Sequence, residues 1–120
     1  MPTLLVALAG AVGAVARYRI GVAVGVRSFP WATLGINLSG CFLVAFVLAG
    51  PAADRWSPST TTALAVGLLG AYTTFSTFGY ETFTFLRTDR LGSAAAYVAI
   101  SLVGGLAATA LGYAAGRALA

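Results

Sequence analysis

From Thr3 to Val26 the chain carries only two charged side chains, Arg17 and Arg19, and from Trp31 to Ala49 it carries none. Thr60 to Leu86 holds one, Glu81, and Leu91 to Ala118 holds one, Arg117. A helix needs about 20 largely apolar residues to cross a bilayer. Each of the four runs is long enough. Only 8% of the residues are charged, whereas a soluble domain carries roughly 25%. A chain this poor in charge cannot dress a water-facing surface. The pattern predicts an all-α integral membrane protein, one domain over residues 1–120, with spans at about 3–26, 31–49, 60–86 and 91–118. Four spans and three short loops fill nearly the whole length, which leaves no room for a soluble domain.

The breaks are marked by their chemistry. Arg27-Ser28-Phe29-Pro30 ends the first run, and Gly50-Pro51 the second. Residues 52–59 carry Asp54, Arg55, Trp56 and Pro58, and Arg87-Thr88-Asp89-Arg90 forms the last loop. Trp31 and Trp56 fall at the expected interfaces, where amphipathic rings sit. All seven cations are Arg, and the net charge is +4. They lie in loops and at helix ends, so they read as topology and anchoring rather than as a nucleic-acid surface. With both termini on one side, Arg55 and Arg117 oppose Arg27, Arg87 and Arg90. So slight a bias is also what a chain inserting in both orientations would show. Ala7-Leu8-Ala9 mimics a signal-peptidase site. No basic residue precedes it, however, and residues 3 onward read as mature helix. Cys41 is alone and His is absent. This excludes an intrachain disulfide and a His/Cys metal cluster, and Cys41 reads as a small packed side chain.

Against this background the window Gly70-Ala71-Tyr72-Thr73-Thr74-Phe75-Ser76-Thr77-Phe78-Gly79-Tyr80-Glu81 stands out. It sets four Ser/Thr hydroxyls, two phenylalanines and a carboxylate inside an apolar run. Polar groups at bilayer depth are costly, and by default they mark function. Gly70 with Thr73 and Thr74 permits an unwound turn near the midplane, although an unbroken helix fits the same letters. Carbonyls freed by such a break must be satisfied inside the protein. Two breaks meeting across a dimer would suit a small hard cation such as Na⁺. Helical spacing gives three polar stripes: Thr33, Asn37 and Cys41; Phe75, Phe78 and Glu81; and Tyr97, Ser101, Gly105 and Thr109. Neutral donors without a fixed cation form a plausible track for a small anion, and Phe rings offer it a positive edge. Each residue also has a plainer reading. Ser and Thr often bond their own helix, Asn37 serves equally as glue between helices, and Phe75 and Phe78 as packing. Glu81 can be an interfacial carboxylate, and Arg17 and Arg19 can reach the headgroups. Gly21 with Gly25, and Gly112 with Gly116, have the small-residue spacing of close helix contacts. That spacing points to an oligomer, with a two-fold dimer the commonest form.

Three motifs in order carry a resemblance: Gly10-Ala11-Val12-Gly13-Ala14-Val15-Ala16-Arg17-Tyr18, Thr33-Leu34-Gly35-Ile36-Asn37-Leu38-Ser39-Gly40, and Gly70 to Phe78 followed by Glu81. With these the chain resembles the Fluc, or CrcB, fluoride channels along all four spans. The resemblance implies a dual-topology antiparallel homodimer in the plasma membrane, with two fluoride pores and a central structural Na⁺. It implies that Asn37 donates to fluoride, that Phe75 and Phe78 supply ring edges, and that Ser76 and Thr77 line the same stretch. Tyr97, Ser101 and Thr109 would form a hydroxyl track, with Gly105 where the family often has Ser. Gly70 and Thr73 would give carbonyls to Na⁺, Glu81 would sit near a pore end, and Arg17 would be structural or vestibular. Two other readings stand beside it. A small multidrug transporter shares the size and architecture but relies on a Glu in its first helix, where this chain has no acid. A non-transporting scaffold subunit explains the glycines, but not Asn37, the phenylalanine pair and the hydroxyl stripe together. No nucleophile–base pair supports an enzyme.

Overall fold

The computed structural model describes residues 1–120, which form seven α-helical pieces, one π-helical stretch and no strand. Helix α1 (Pro2–Val24) starts with proline in its first turn, where a missing N–H costs nothing. It stops because Gly25 takes φ +72°, the left-handed region that glycine tolerates, and donates its N–H to the Gly21 carbonyl at 3.0 Å. Hydropathy alone carries the first run to residue 26; the backbone of Gly25 ends it earlier. Helix α2 (Trp31–Ala49) follows Pro30 and ends at extended Gly50. The expected loop over residues 52–59 contains a short helix, α3 (Pro51–Arg55). Pro58 then opens α4 (Pro58–Thr62), whose N-cap Ser57 accepts from the Thr60 N–H.

The third apolar run is assembled from pieces. After α4 comes the π-helical stretch Ala63–Leu69, then α5 (Gly70–Tyr72), two extended residues, and α6 (Phe75–Arg87). The chain closes with α7 (Leu91–Leu119). Three helices, α1, α2 and α7, are long and apolar enough to cross a membrane. The longest, α7, reaches about 43 Å at 1.5 Å per residue, within a molecule 49 Å in its longest extent.

Glycines decide how closely these rods approach. A Cβ at Gly112 would overlap the carbonyl of Phe42, and one at Gly116 would lie 2.8 Å from the Phe46 carbonyl. Helices α2 and α7 therefore touch backbone to backbone. Likewise α1 lies on the π-helical stretch through Gly13, which faces the Leu68 carbonyl. The Gly112–Gly116 pair is thus consumed within the chain, whereas Gly21 meets nothing within 4 Å. Gly112→Ala is expected to force α2 from α7 and to destabilise the fold by about 1–3 kcal/mol, the usual cost of overpacking. Thermal unfolding in detergent checks this, with Gly21→Ala as the control whose midpoint should stay in place.

Only 16 of the 120 residues are buried. The small interior sits at one end, where Leu34, Phe85, Ala94 and Tyr97 cluster with Phe29, Leu38 and Phe78 packed against them. The faces of α1, α6 and α7 remain bare and apolar, Phe75, Tyr80, Leu106 and Tyr113 among them. Those surfaces call for lipid or a second chain.

Candidate functional site

The interruption between α5 and α6 is a built structure. Thr73 (φ −79°, ψ 156°) and Thr74 (φ −147°, ψ 114°) are extended. Thr73 closes the first half by donating its hydroxyl to the Leu69 carbonyl at 3.1 Å. Thr74 opens the second half as N-cap, its hydroxyl accepting from the Thr77 N–H at 3.2 Å. Groups from other helices hold the gap open. The Asn37 amide clamps the Thr74 peptide from both sides: its Nδ2 donates to the Thr74 carbonyl at 3.0 Å, and its Oδ1 accepts from the Thr74 N–H at 2.8 Å. Arg17 Nε donates to the Ala71 carbonyl at 3.1 Å. The Ser39 and Tyr72 hydroxyls form a 3.0 Å hydrogen bond. Gly40 leaves the space that the Thr73 methyl fills.

With the Thr74 N–H turned to Asn37, the Gly70 carbonyl loses its helical donor. With the Thr77 N–H on the Thr74 hydroxyl, the Thr73 carbonyl loses its donor in the same way. The Tyr72 carbonyl loses its donor as well, because Ser76 lies across the gap, while that of Ala71 is taken by the Arg17 guanidinium. The far side of the gap is the N-terminus of a 13-residue helix, whose dipole favours negative charge.

A cleft of about 230 Å³ opens against this break. Asn37, Cys41, Thr73, Phe75, Phe78 and Ser101 line it. The Asn37 amide has a second Nδ2 hydrogen beyond the one given to Thr74, so one donor is left over. The Phe75 and Phe78 rings stand 5.8 Å apart, tilted by 48°. Phe78 in turn meets Tyr97 edge to face at 5.0 Å. A second cleft of about 680 Å³ runs between α1 and α2 and collects Arg17, Thr33, Thr74 and Thr77. A third, about 380 Å³, holds Glu81 with Arg27 and Arg90.

The hydroxyl residues divide among these spaces. Ser76 is exposed, its hydroxyl 3.4 Å from that of Thr74. The Thr77 hydroxyl accepts from Thr74 at 3.0 Å. Tyr97 is fully buried and donates to Glu81 Oε1 at 3.0 Å. Ser101 faces the 230 Å³ cleft. Thr109 donates to the Gly105 carbonyl of its own helix at 2.8 Å.

The sequence profile described as "CrcB-like protein, Camphor Resistance (CrcB)" matches residues 4–113. The chain belongs to the CrcB family. It is 42% identical to the "Fluoride-specific ion channel FluC 2" of Geobacillus kaustophilus, over 98% of this chain and 94% of that one. It is 43% identical to the "Fluoride-specific ion channel FluC" of Acidobacterium capsulatum, over 98% and 97% of the two chains. A relative from Nitrobacter winogradskyi with the same description is 45% identical over 83% and 82%. Membership, with three helices able to span a bilayer, makes this a multi-pass membrane protein.

Within this CrcB-family chain, the structure brings Asn37, Phe75, Phe78 and Ser101 to one cleft. It sets Thr77 in the larger cleft with Arg17, and commits the hydroxyls of Tyr97 and Thr109 to partners in the chain. A residue read from the sequence alone as a small packed side chain also borders this cleft. Cys41 lines the cleft, and its sulfur lies 3.6 Å from where a Cβ on Gly105 would stand. The gap left in the stripe of α7 is thus faced by a thiol from α2. The four-residue spacing from Asn37 was the available signal. Arg17, expected to be structural or vestibular, holds Ala71, a contact 54 residues distant in the chain whose partner no local pattern announces.

Proposed function

We propose that the chain is a fluoride-selective passive channel, working as an antiparallel dual-topology homodimer with two pores in the plasma membrane. The observation that carries this reading is the convergence of a spare amide donor, two phenylalanine rings and a serine hydroxyl on one cleft at a helix interruption. Relatives that cover nearly the whole chain bear the same functional description.

The chemistry follows from the donors. Fluoride gives up a strongly held hydration shell, and neutral donors in series replace it without trapping the ion. Asn37 offers Nδ2–H, Ser101 its hydroxyl, and Phe75 and Phe78 the positive edges of their rings. Ser76 and Thr77 receive the ion ahead of the rings, beside the positive end of α6. Thr109 extends the track beyond Ser101. Tyr97 keeps its place in the wall through Glu81, with Glu81 toward the pore end. Arg17 stays with the backbone of the break. No bond is made or broken, so no catalytic residue is required. An inside-negative potential drives a monovalent anion outward with about 2.3 kcal/mol per 100 mV.

The break also suits a resident Na⁺. Such an ion takes oxygen ligands from unwound backbone, and the Gly70 and Thr73 carbonyls are among those that lose their helical donors at the break. The carbonyl of Ala71, near both, is taken by Arg17. Gly70 and Thr73 of each subunit would hold the ion, which would supply fixed positive charge at the two-fold axis.

The test is fluoride efflux from liposomes holding the purified protein, read with a fluoride electrode and repeated with chloride. Fast fluoride release with little chloride release is the expected result. Dimeric protein supplied with Na⁺ that releases no fluoride would overturn the reading.

A further inference from the structure

Phe78 acts in the proposed pore only if its ring is held at a fixed angle. Its partner is Tyr97, edge to face at 5.0 Å and 63°. Tyr97 is itself 0% exposed, so whatever fixes it also fixes Phe78. Glu81 holds its hydroxyl. Phe85 meets its ring at 6.1 Å and 88°. Beside Leu34 and Ala94 of the same cluster, the third ring against Tyr97 is Phe29, at 5.5 Å and 76°, which also stacks on Phe85 at 6.0 Å. Glu81, Phe85 and Tyr97 sit on α6 and α7. Phe29 alone comes from the connection between α1 and α2.

That connection is tightly determined. Gly25 turns it in the left-handed region, and Pro30 restricts the backbone of the residue before it. The Trp31 N–H donates to the Phe29 carbonyl at 2.8 Å, and the two rings lie 4.7 Å apart. Phe29 also lines the 380 Å³ cleft that contains Arg27, Glu81 and Arg90. Its ring therefore stands between a charged, open cleft on one side and the Tyr97–Phe78 pair on the other.

We propose that Phe29 is a positioning residue for ion selection: through Tyr97 it sets the angle of the Phe78 ring. The inference rests on the channel reading above. An aromatic edge favours an anion only when aimed at it. With Phe29 present, Tyr97 is enclosed by three rings and Phe78 is held at its angle. Without it, the cleft extends to Tyr97, water reaches the Tyr97–Glu81 hydrogen bond, and Phe78 gains freedom. A loosened ring serves chloride and fluoride more equally.

The experiment compares wild type with Phe29→Ala in liposomes, measuring fluoride and chloride efflux on the same preparation. Size-exclusion and thermal unfolding establish how much protein is folded. A purely structural role would lower both fluxes together with the folded fraction. The positioning role instead lowers the fluoride-to-chloride ratio, by about tenfold. Should Phe29→Ala fail to fold, Phe29→Leu, which keeps most of the volume and removes the ring, is read by the same ratio. An unchanged ratio in folded variant protein overturns the proposal. Wild-type protein that releases no fluoride overturns the channel reading itself, a separate outcome visible before any variant is compared.

Discussion

Asn37→Ala is expected to abolish fluoride efflux. The side chain makes two hydrogen bonds to one peptide, at 3.0 and 2.8 Å. Its removal leaves the Thr74 N–H and carbonyl without partners in a part-buried setting. Each unsatisfied group costs about 1–3 kcal/mol, so the break is disfavoured by about 30-fold or more against rearranged backbone. The spare amide hydrogen goes as well, so the cleft loses a donor while the gap loses its clamp. Asn37→Asp separates the two losses. The carboxylate still accepts from the Thr74 N–H, yet it offers no donor and adds negative charge where an anion must pass. The Asp variant should unfold closer to the wild-type temperature than the Ala variant while conducting no better. Fluoride efflux and thermal unfolding, measured on both, check this. Wild-type flux in Asn37→Ala would remove Asn37 from both roles.

The clamp also shows what the sequence disclosed and what it withheld. Runs without charge located the apolar helices, because burying charge in lipid is costly everywhere along a span. Pro30 and Gly50-Pro51 bounded α2 through local backbone chemistry. The Gly25 stop lay two residues inside the hydropathic run, because a dihedral angle, not polarity, ends that helix. Thr73 and Thr74 were legible as residues able to unwind a turn. Their partners were not: Asn37 is 37 positions from Thr74, and Arg17 is 54 from Ala71. Spacing on one helix carries no information about which backbone group on another will accept. The π-helical stretch had no signal either. Residues 63–69 read as an ordinary apolar helix, and the widened turn appears where the Leu68 carbonyl meets Gly13.

The same distinction separates the two glycine pairs. Gly21 with Gly25 and Gly112 with Gly116 look alike in sequence. In the fold the second pair seats α2, while Gly21 faces open space and Gly25 serves as a helix stop. Small-residue spacing announces that a backbone can be approached closely. It does not say by which neighbour. Cys41 gives the converse case: its type suggested packing, while its register with Asn37 and its distance from Gly105 set it in the cleft wall.

Phe75→Leu is the substitution that isolates the pore chemistry from the fold. Phe75 is 82% exposed in the single chain, and its ring pairs with Phe78 alone, at 5.8 Å. Surface substitutions away from caps and cores change stability by about 0.5 kcal/mol or less, so the variant should unfold near the wild-type temperature. Phe78 gives no such separation, because its ring also packs against the buried Tyr97. Leucine fills most of the space but has no quadrupole, so the positive ring edge disappears. Losing about 0.5–1.5 kcal/mol at one point on the path slows passage by up to about tenfold. Efflux reduced to that extent, with the unfolding midpoint and dimer fraction unchanged, places Phe75 on the ion's route. Unchanged efflux would assign the exposed ring to lipid or to the neighbouring subunit, and the anion would then be left to the amide and hydroxyl donors of α2 and α7.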